Sequence, residues 1–123
     1  MDADYAANLP AAGERPLRQA LFGLCTVIAV HAWHAVLDGG LKAFAVDQGL
    51  PRMALPGWAV KTLSDEHAVI VPDGAATPLQ IGQKVRLIPG HCDPTVNLHD
   101  WLIAFRGDTV RHVWPVAARG ALF

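Results

Sequence analysis

His91, Cys92 and Asp93 stand in consecutive positions, an imidazole, a thiol and a carboxylate followed at once by Pro94 and Thr95. Each of the three can ligate a metal or carry a proton. On an extended backbone, residues two apart project from the same face. There a nitrogen of His91 and an oxygen of Asp93 would reach one cation, while Cys92 would point away. An N,O pair suits borderline-hard divalent ions such as Mn²⁺, Zn²⁺ or Mg²⁺ better than a thiolate site does. The same residues also have a structural reading, in which Asp93 caps a helical turn and His91 bonds backbone carbonyls. The H-x-D pattern is short and common, and spacing alone does not separate the two readings.

Other chemistry-bearing residues are less pointed. Asp65-Glu66-His67 is an acid/base cluster or a solvated turn, and His67 is the first of these to test near the main site. His31 and His34, three apart, would face opposite sides of a strand. His99-Asp100 is placed either to orient a ligand from outside the ligand set or to cap and solvate. Lys42 reads as an exposed ion-pairing lysine. Trp58, Trp101 and Trp114 read as core or interface aromatics. The sequence contains no phosphate-cradling glycine loop and no nucleophile elbow.

The elements that must hold these residues read as strands. Residues 84–88 alternate polar and apolar ahead of the 89–101 connection, and 101–106 form a strand after it. Gly107-Asp108 is a turn of the II′ kind, leading into a strand over 109–117. Residues 59–64 and 67–71 flank the acidic turn at 64–66. The apolar, β-branched run from 21 to about 36 is one long strand or two joined at a bend, and 16–20 can start as helix. Residues 42–46 are a short strand or one helical turn. Within the connection, Asp93 or Thr95 would cap a brief helical turn, with Pro94 in its first position. Short strands punctuated by Gly, Pro and Asp predict an all-β, mainly antiparallel fold. The expectation is a small β-sandwich or barrel-like domain with one or two short helical turns.

Composition bounds the rest. At 123 residues, 52% apolar and 17% charged, the chain is one globular domain. A formal net charge of −1 offers no attraction to nucleic acid or an anionic membrane. Residues 20–36 are short for a membrane span and contain His31 and His34, and no basic leader precedes an apolar core. Cys25 lies in an apolar run as a small buried hydrophobe, so a reduced, cytoplasmic chain is expected.

Longer blocks resemble a known family. Pro89-Gly90-His91-Cys92-Asp93-Pro94-Thr95-Val96-Asn97-Leu98-His99-Asp100 is similar to the signature of the D-threonine aldolase branch of the D-serine dehydratase-like family. Val113-Trp114-Pro115-Val116-Ala117-Ala118-Arg119-Gly120 resembles its closing motif. Asp38-Gly39-Gly40-Leu41-Lys42, Asp47-Gln48-Gly49-Leu50-Pro51 and Asp65-Glu66-His67 occur in the same order. In that family a pyridoxal-phosphate-binding barrel of the alanine-racemase type precedes a β-domain, and this chain resembles only the second part.

The resemblance implies that residues 1–16, opening Met1-Asp2-Ala3-Asp4-Tyr5, are a remnant of the barrel end and linker. Residues 17–123 would then be the β-domain. His91 and Asp93 fall on the family's metal-ligand positions. Eukaryotic D-serine dehydratases carry H-x-C with zinc, so the carboxylate of Asp93 favours Mn²⁺, with Zn²⁺ or Mg²⁺ as alternatives, and favours an aldolase over a dehydratase. The implied reaction is retro-aldol cleavage of a D-3-hydroxy amino acid to glycine and an aldehyde. Pyridoxal phosphate would serve as electron sink and the metal would acidify the substrate hydroxyl. The cofactor's lysine has no counterpart here, so the chain would be inactive without a barrel domain or subunit, and a homodimer is expected. The alternatives are a D-serine dehydratase-like lyase domain, or a non-catalytic truncated module that docks to a separate barrel.

Overall fold

Alternation decides which side chains turn inward. A computed structural model of the chain describes residues 18–121. Its elements are β1 (Gly23–Val30), β2 (Ala35–Leu37), β3 (Arg52–Met53), β4 (Trp58–Leu63), β5 (Ala68–Pro72), β6 (Lys84–Ile88), α1 (Cys92–Asn97), β7 (Trp101–Arg106) and β8 (Thr109–Pro115). In β6, Val85 and Leu87 are buried while Lys84 and Arg86 face solvent. Cys25 and Val27 of β1, Ala35 and Leu37 of β2, and Ala68 and Ile70 of β5 join them in one core, sealed by Phe44 and Leu79. Period-two burial is what a sheet with one wet face requires.

Six strands form one sheet in the order β3-β6-β1-β2-β5-β4. Each neighbouring pair is antiparallel. The end strands β3 and β4 touch, so the sheet nearly closes into a barrel. This is the predicted all-β, mainly antiparallel, barrel-like architecture with one short helix.

β1 serves two partners, β6 through residues 23–26 and β2 from Val27 onward, with a register shift between Val27 and Ala29. Asp38 stabilises this corner. Its Oδ1 accepts from the Thr26 backbone N–H at 2.6 Å, and its own N–H donates to the Thr26 carbonyl at 3.1 Å. Irregularities of this kind let a strand bend between ladders. The run from 21 to 36 is therefore two strands, reversing through residues 31–34, where the His31 N–H donates to the His34 carbonyl at 2.8 Å.

Residues 42–46 are neither strand nor helix. The N–H groups of Ala43 and Phe44 both donate to the Gly40 carbonyl, at 2.9 and 3.0 Å, a turn that drops Phe44 into the core. Gly40 is required there, because an added Cβ would lie 2.2 Å from the Ser64 carbonyl oxygen.

β7 and β8 form a separate two-stranded hairpin. Its turn has Gly107 at φ 59° with no positive φ at Asp108, as expected of a type II′ turn. The predicted entry segment over 1–16, and residue 17 of the predicted helical start, lie outside the described residues. Residues 18–20 are not helical. Among the described residues no helix is long and apolar enough to cross a membrane, which does not bear on strands.

Candidate functional site

The 89–101 connection is organised by α1 and by the segment beside it. His91 is the N-cap residue, extended at φ −139° and ψ 123°, with no side-chain capping bond. The predicted capping by Asp93 or Thr95 is thus corrected: Asp93 lies inside the first turn, where its charge favours the helix dipole. Pro94 is the third helical residue rather than the first. It is tolerated there because the first-turn N–H groups have no intrahelical partner. Thr95, 4% exposed, uses its hydroxyl twice. It donates to the His91 carbonyl at 2.7 Å and accepts the Ala45 N–H at 3.2 Å.

Residues 43–49 run along this helix, and alternate positions meet it. The His99 ring Nε2 bonds the Ala43 carbonyl at 2.9 Å, Ala45 meets Thr95, and Asp47 reaches His91, with Oδ2 2.5 Å from Nδ1. Gly90 packs so closely on Gly49 that a Cβ would lie 2.4 Å from the Gly49 carbonyl oxygen. Asp47 is the functional candidate that sequence reasoning missed as a site residue. Its signal was the Asp47-Gln48-Gly49 block, but its partner lies 44 residues away.

The strand-parity argument for His91 and Asp93 does not carry through. The backbone is extended at His91 and helical from Cys92, so the first helical turn, and not a pleat, sets the relative direction of their side chains. His91 is about a quarter exposed at its side chain, Cys92 is half-buried, and Asp93 is open to solvent. Among the described residues no group of three or more His, Cys, Asp or Glu converges on one point.

The remaining candidates go elsewhere. His99 anchors the 43–49 segment, and Asp100 pairs with Arg119, whose Nε also bonds the Asn97 carbonyl at 3.1 Å. His67 stays on its exposed turn, its carbonyl accepting from the Ser64 N–H at 2.8 Å. Lys42 pairs with Glu66. That hydrogen bond, ahead of the Coulomb attraction, raises the ammonium's pKa, and it is the leading cause lowering the carboxyl's.

His31 and His34 do not face opposite ways. They sit in a turn and not on a strand, and their rings stack at 4.3 Å. Desolvation first, then the charges of His31 and Lys61, hold His34 below the usual imidazole range. Of the predicted core or interface tryptophans, Trp58 packs on the core and donates from Nε1 to the Thr77 carbonyl at 2.9 Å. Trp101 and Trp114 are exposed. They line an apolar groove of about 680 Å³ with Phe22, Arg86, Val96 and Ile103.

Comparison with known proteins places these features in a family. Residues 20–105 match the family described as "Putative serine dehydratase domain". The chain is 46% identical over 128 residues to a 3-hydroxy-D-aspartate aldolase of Paracoccus denitrificans, covering 98% of this chain and 32% of that enzyme. It superposes on the crystal structure of D-threonine aldolase from Filomicrobium marinum with a TM-score of 0.87 and 40% identity, covering 100% of this chain and 34% of that one. An uncharacterized protein of Mycobacterium tuberculosis is 35% identical over 99 residues, 69% of this chain and 68% of the relative. The chain thus spans about a third of the length of the aldolases it matches. Because the family match takes in the whole six-stranded sheet, the 43–49 segment and α1, this chain belongs to the serine dehydratase domain family.

Proposed function

We propose that this chain is the metal-binding β-domain of a pyridoxal-phosphate-dependent lyase that cleaves D-3-hydroxy amino acids to glycine and an aldehyde, with His91 and Asp93 as protein ligands. The observation that most supports this reading is the 46% identity to a 3-hydroxy-D-aspartate aldolase across 98% of the chain. The donor set is compatible with it. His91 supplies an imidazole held by Asp47, and Asp93 supplies a solvent-reachable carboxylate at the head of α1. A nitrogen and a hard oxygen favour Mn²⁺, with Zn²⁺ or Mg²⁺ as alternatives.

When bound, such a cation supplies Lewis acidity toward a substrate hydroxyl. The chain's own residues position the donors: Thr95 ties the His91 carbonyl to α1, and the 43–49 segment braces the imidazole from the other side. Two protein donors leave room for water and substrate, as a catalytic centre needs. Pyridoxal phosphate would be held by a barrel domain or subunit and not by this chain, whose Lys42 is engaged with Glu66. A dimeric assembly and a cytoplasmic location complete the reading.

Equilibrium dialysis against Mn²⁺ tests the site. Wild type is expected to bind one equivalent, and His91→Ala and Asp93→Ala to lose it. Equal metal content in wild type and Asp93→Ala removes Asp93 from the ligands. The purified chain with added pyridoxal phosphate is expected to leave D-threonine intact, and cleavage without a barrel would overturn the division of labour.

A second reading is a non-catalytic module that docks to a separate barrel. The mycobacterial relative, matched over a similar share of both chains, and the exposed apolar groove favour it. The D-serine dehydratase alternative is weakened by the carboxylate at position 93.

A further inference from the structure

We infer that Asp47 is a positioning residue that selects which nitrogen of His91 offers its lone pair to a cation, an inference that rests on the metal-binding reading above. An ionised carboxylate is only an acceptor. With Asp47 Oδ2 at 2.5 Å, an ionised Asp47 would put the proton of a neutral His91 ring on Nδ1 and its lone pair on Nε2. Imidazole in water exchanges its proton between both nitrogens, so an Asp47–His91 pair chooses one tautomer and one ring orientation before any cation arrives. Carboxylate–histidine pairs of this kind orient ligating imidazoles and raise their basicity.

The pairing is built into the fold rather than left to two mobile side chains. Asp47 belongs to the segment that meets α1 at alternate positions. Ala43 is tied to His99 and Ala45 to Thr95, on one side of Asp47. On the other side, Gly49 turns back through a 3.0 Å bond from its N–H to the Val46 carbonyl and packs under Gly90. At φ +98°, Gly49 adopts a conformation that other residues rarely take. The loop ahead of the helix and the loop beside it are thus pressed together where the Asp47 carboxylate meets the His91 ring. Asp47 itself is half exposed, so its replacement need not disturb the core.

The test compares wild type, Asp47→Ala and Asp47→Asn by two readouts. In the metal-free protein at pH 8, long-range ¹⁵N–¹H correlation of the His91 ring is expected to show the Nδ1–H tautomer in wild type. Asp47→Ala should move it toward Nε2–H, and Asp47→Asn, whose amide oxygen still accepts, should retain it. Mn²⁺ affinity by equilibrium dialysis is expected to fall about 10- to 100-fold in Asp47→Ala and to recover largely in Asp47→Asn. An Asp47→Ala protein with wild-type tautomer and affinity overturns the inference. If wild type binds no Mn²⁺, the metal reading falls by itself, while the tautomer comparison still decides what Asp47 does. Should Asp47→Ala melt early by circular dichroism, Asp47→Leu, which fills the side chain's volume without accepting a hydrogen bond, carries the same two measurements.

Discussion

Cys25 and Cys92 place the same thiol in opposite surroundings. Burial first, then the nearby charge of Asp38, raises the Cys25 thiol from 9.0 to about 11. Cys92 opens α1 and is half-buried. Because the thiolate is the nucleophile, at pH 8 only roughly one Cys25 in a thousand is reactive even before access is considered. Iodoacetamide at pH 8 is therefore expected to leave Cys25 unmodified in the native protein and to label it after denaturation, as read by peptide mass spectrometry. Equal rates in both states would contradict the burial of β1. At this scale the expectation that Cys25 is a small buried hydrophobe came from the apolar, β-branched run around it. The partner of His91 was not legible, because nothing local to Pro89-Gly90-His91 points toward residue 47.

At the scale of elements, Thr95 joins α1 to the segment that braces the site. Replacing it by valine keeps the shape but removes both roles of the hydroxyl, leaving the Ala45 N–H and the His91 carbonyl without that partner. Thr95→Val is expected to cost about 1–3 kcal/mol in urea unfolding, the usual penalty for stranding a buried polar group. Thr95→Ser, which keeps the hydroxyl, should recover most of it. A valine variant as stable as wild type would mean that the 43–49 segment is held by packing alone. Elements with regular alternation, such as β6 and β7, were readable because each residue's side is set by its immediate neighbours. The 43–49 segment has no such period. Its conformation is imposed by a local turn onto Gly40 and by bonds to Thr95, His91 and His99, all more than 40 residues away.

For the whole molecule, the β7–β8 hairpin is the conspicuous surface. Trp101, Ile103 and Phe105 share one face of β7, and Val113 pairs with Ile103 on that face. All four are exposed. Arg86 reaches across toward Phe105, with its guanidinium 4.7 Å from the ring centroid. Contiguous apolar surface of this kind marks a contact site or an association liability. The isolated chain is expected to bind a hydrophobic dye and to self-associate with rising concentration. The double substitution Ile103→Ser with Val113→Ser should reduce both, measured by dye fluorescence and sedimentation velocity. Unchanged dye binding and sedimentation in that variant would show that this face contributes to neither.

What the sequence determined by itself was whatever depends on near neighbours. That includes the antiparallel strands, the type II′ turn at Gly107, the inward and outward sides of β6, and the residue blocks that tie the chain to its family. Tertiary structure alone decided three further matters: that His91 is a helix cap and not a pleated strand residue, that His31 and His34 stack across a turn, and that Asp47 meets His91. Each is set by contacts or local backbone geometry that no periodic pattern encodes. The Asp47–His91 pair is the extreme case, since two residues 44 apart are joined only when the 43–49 segment folds along α1.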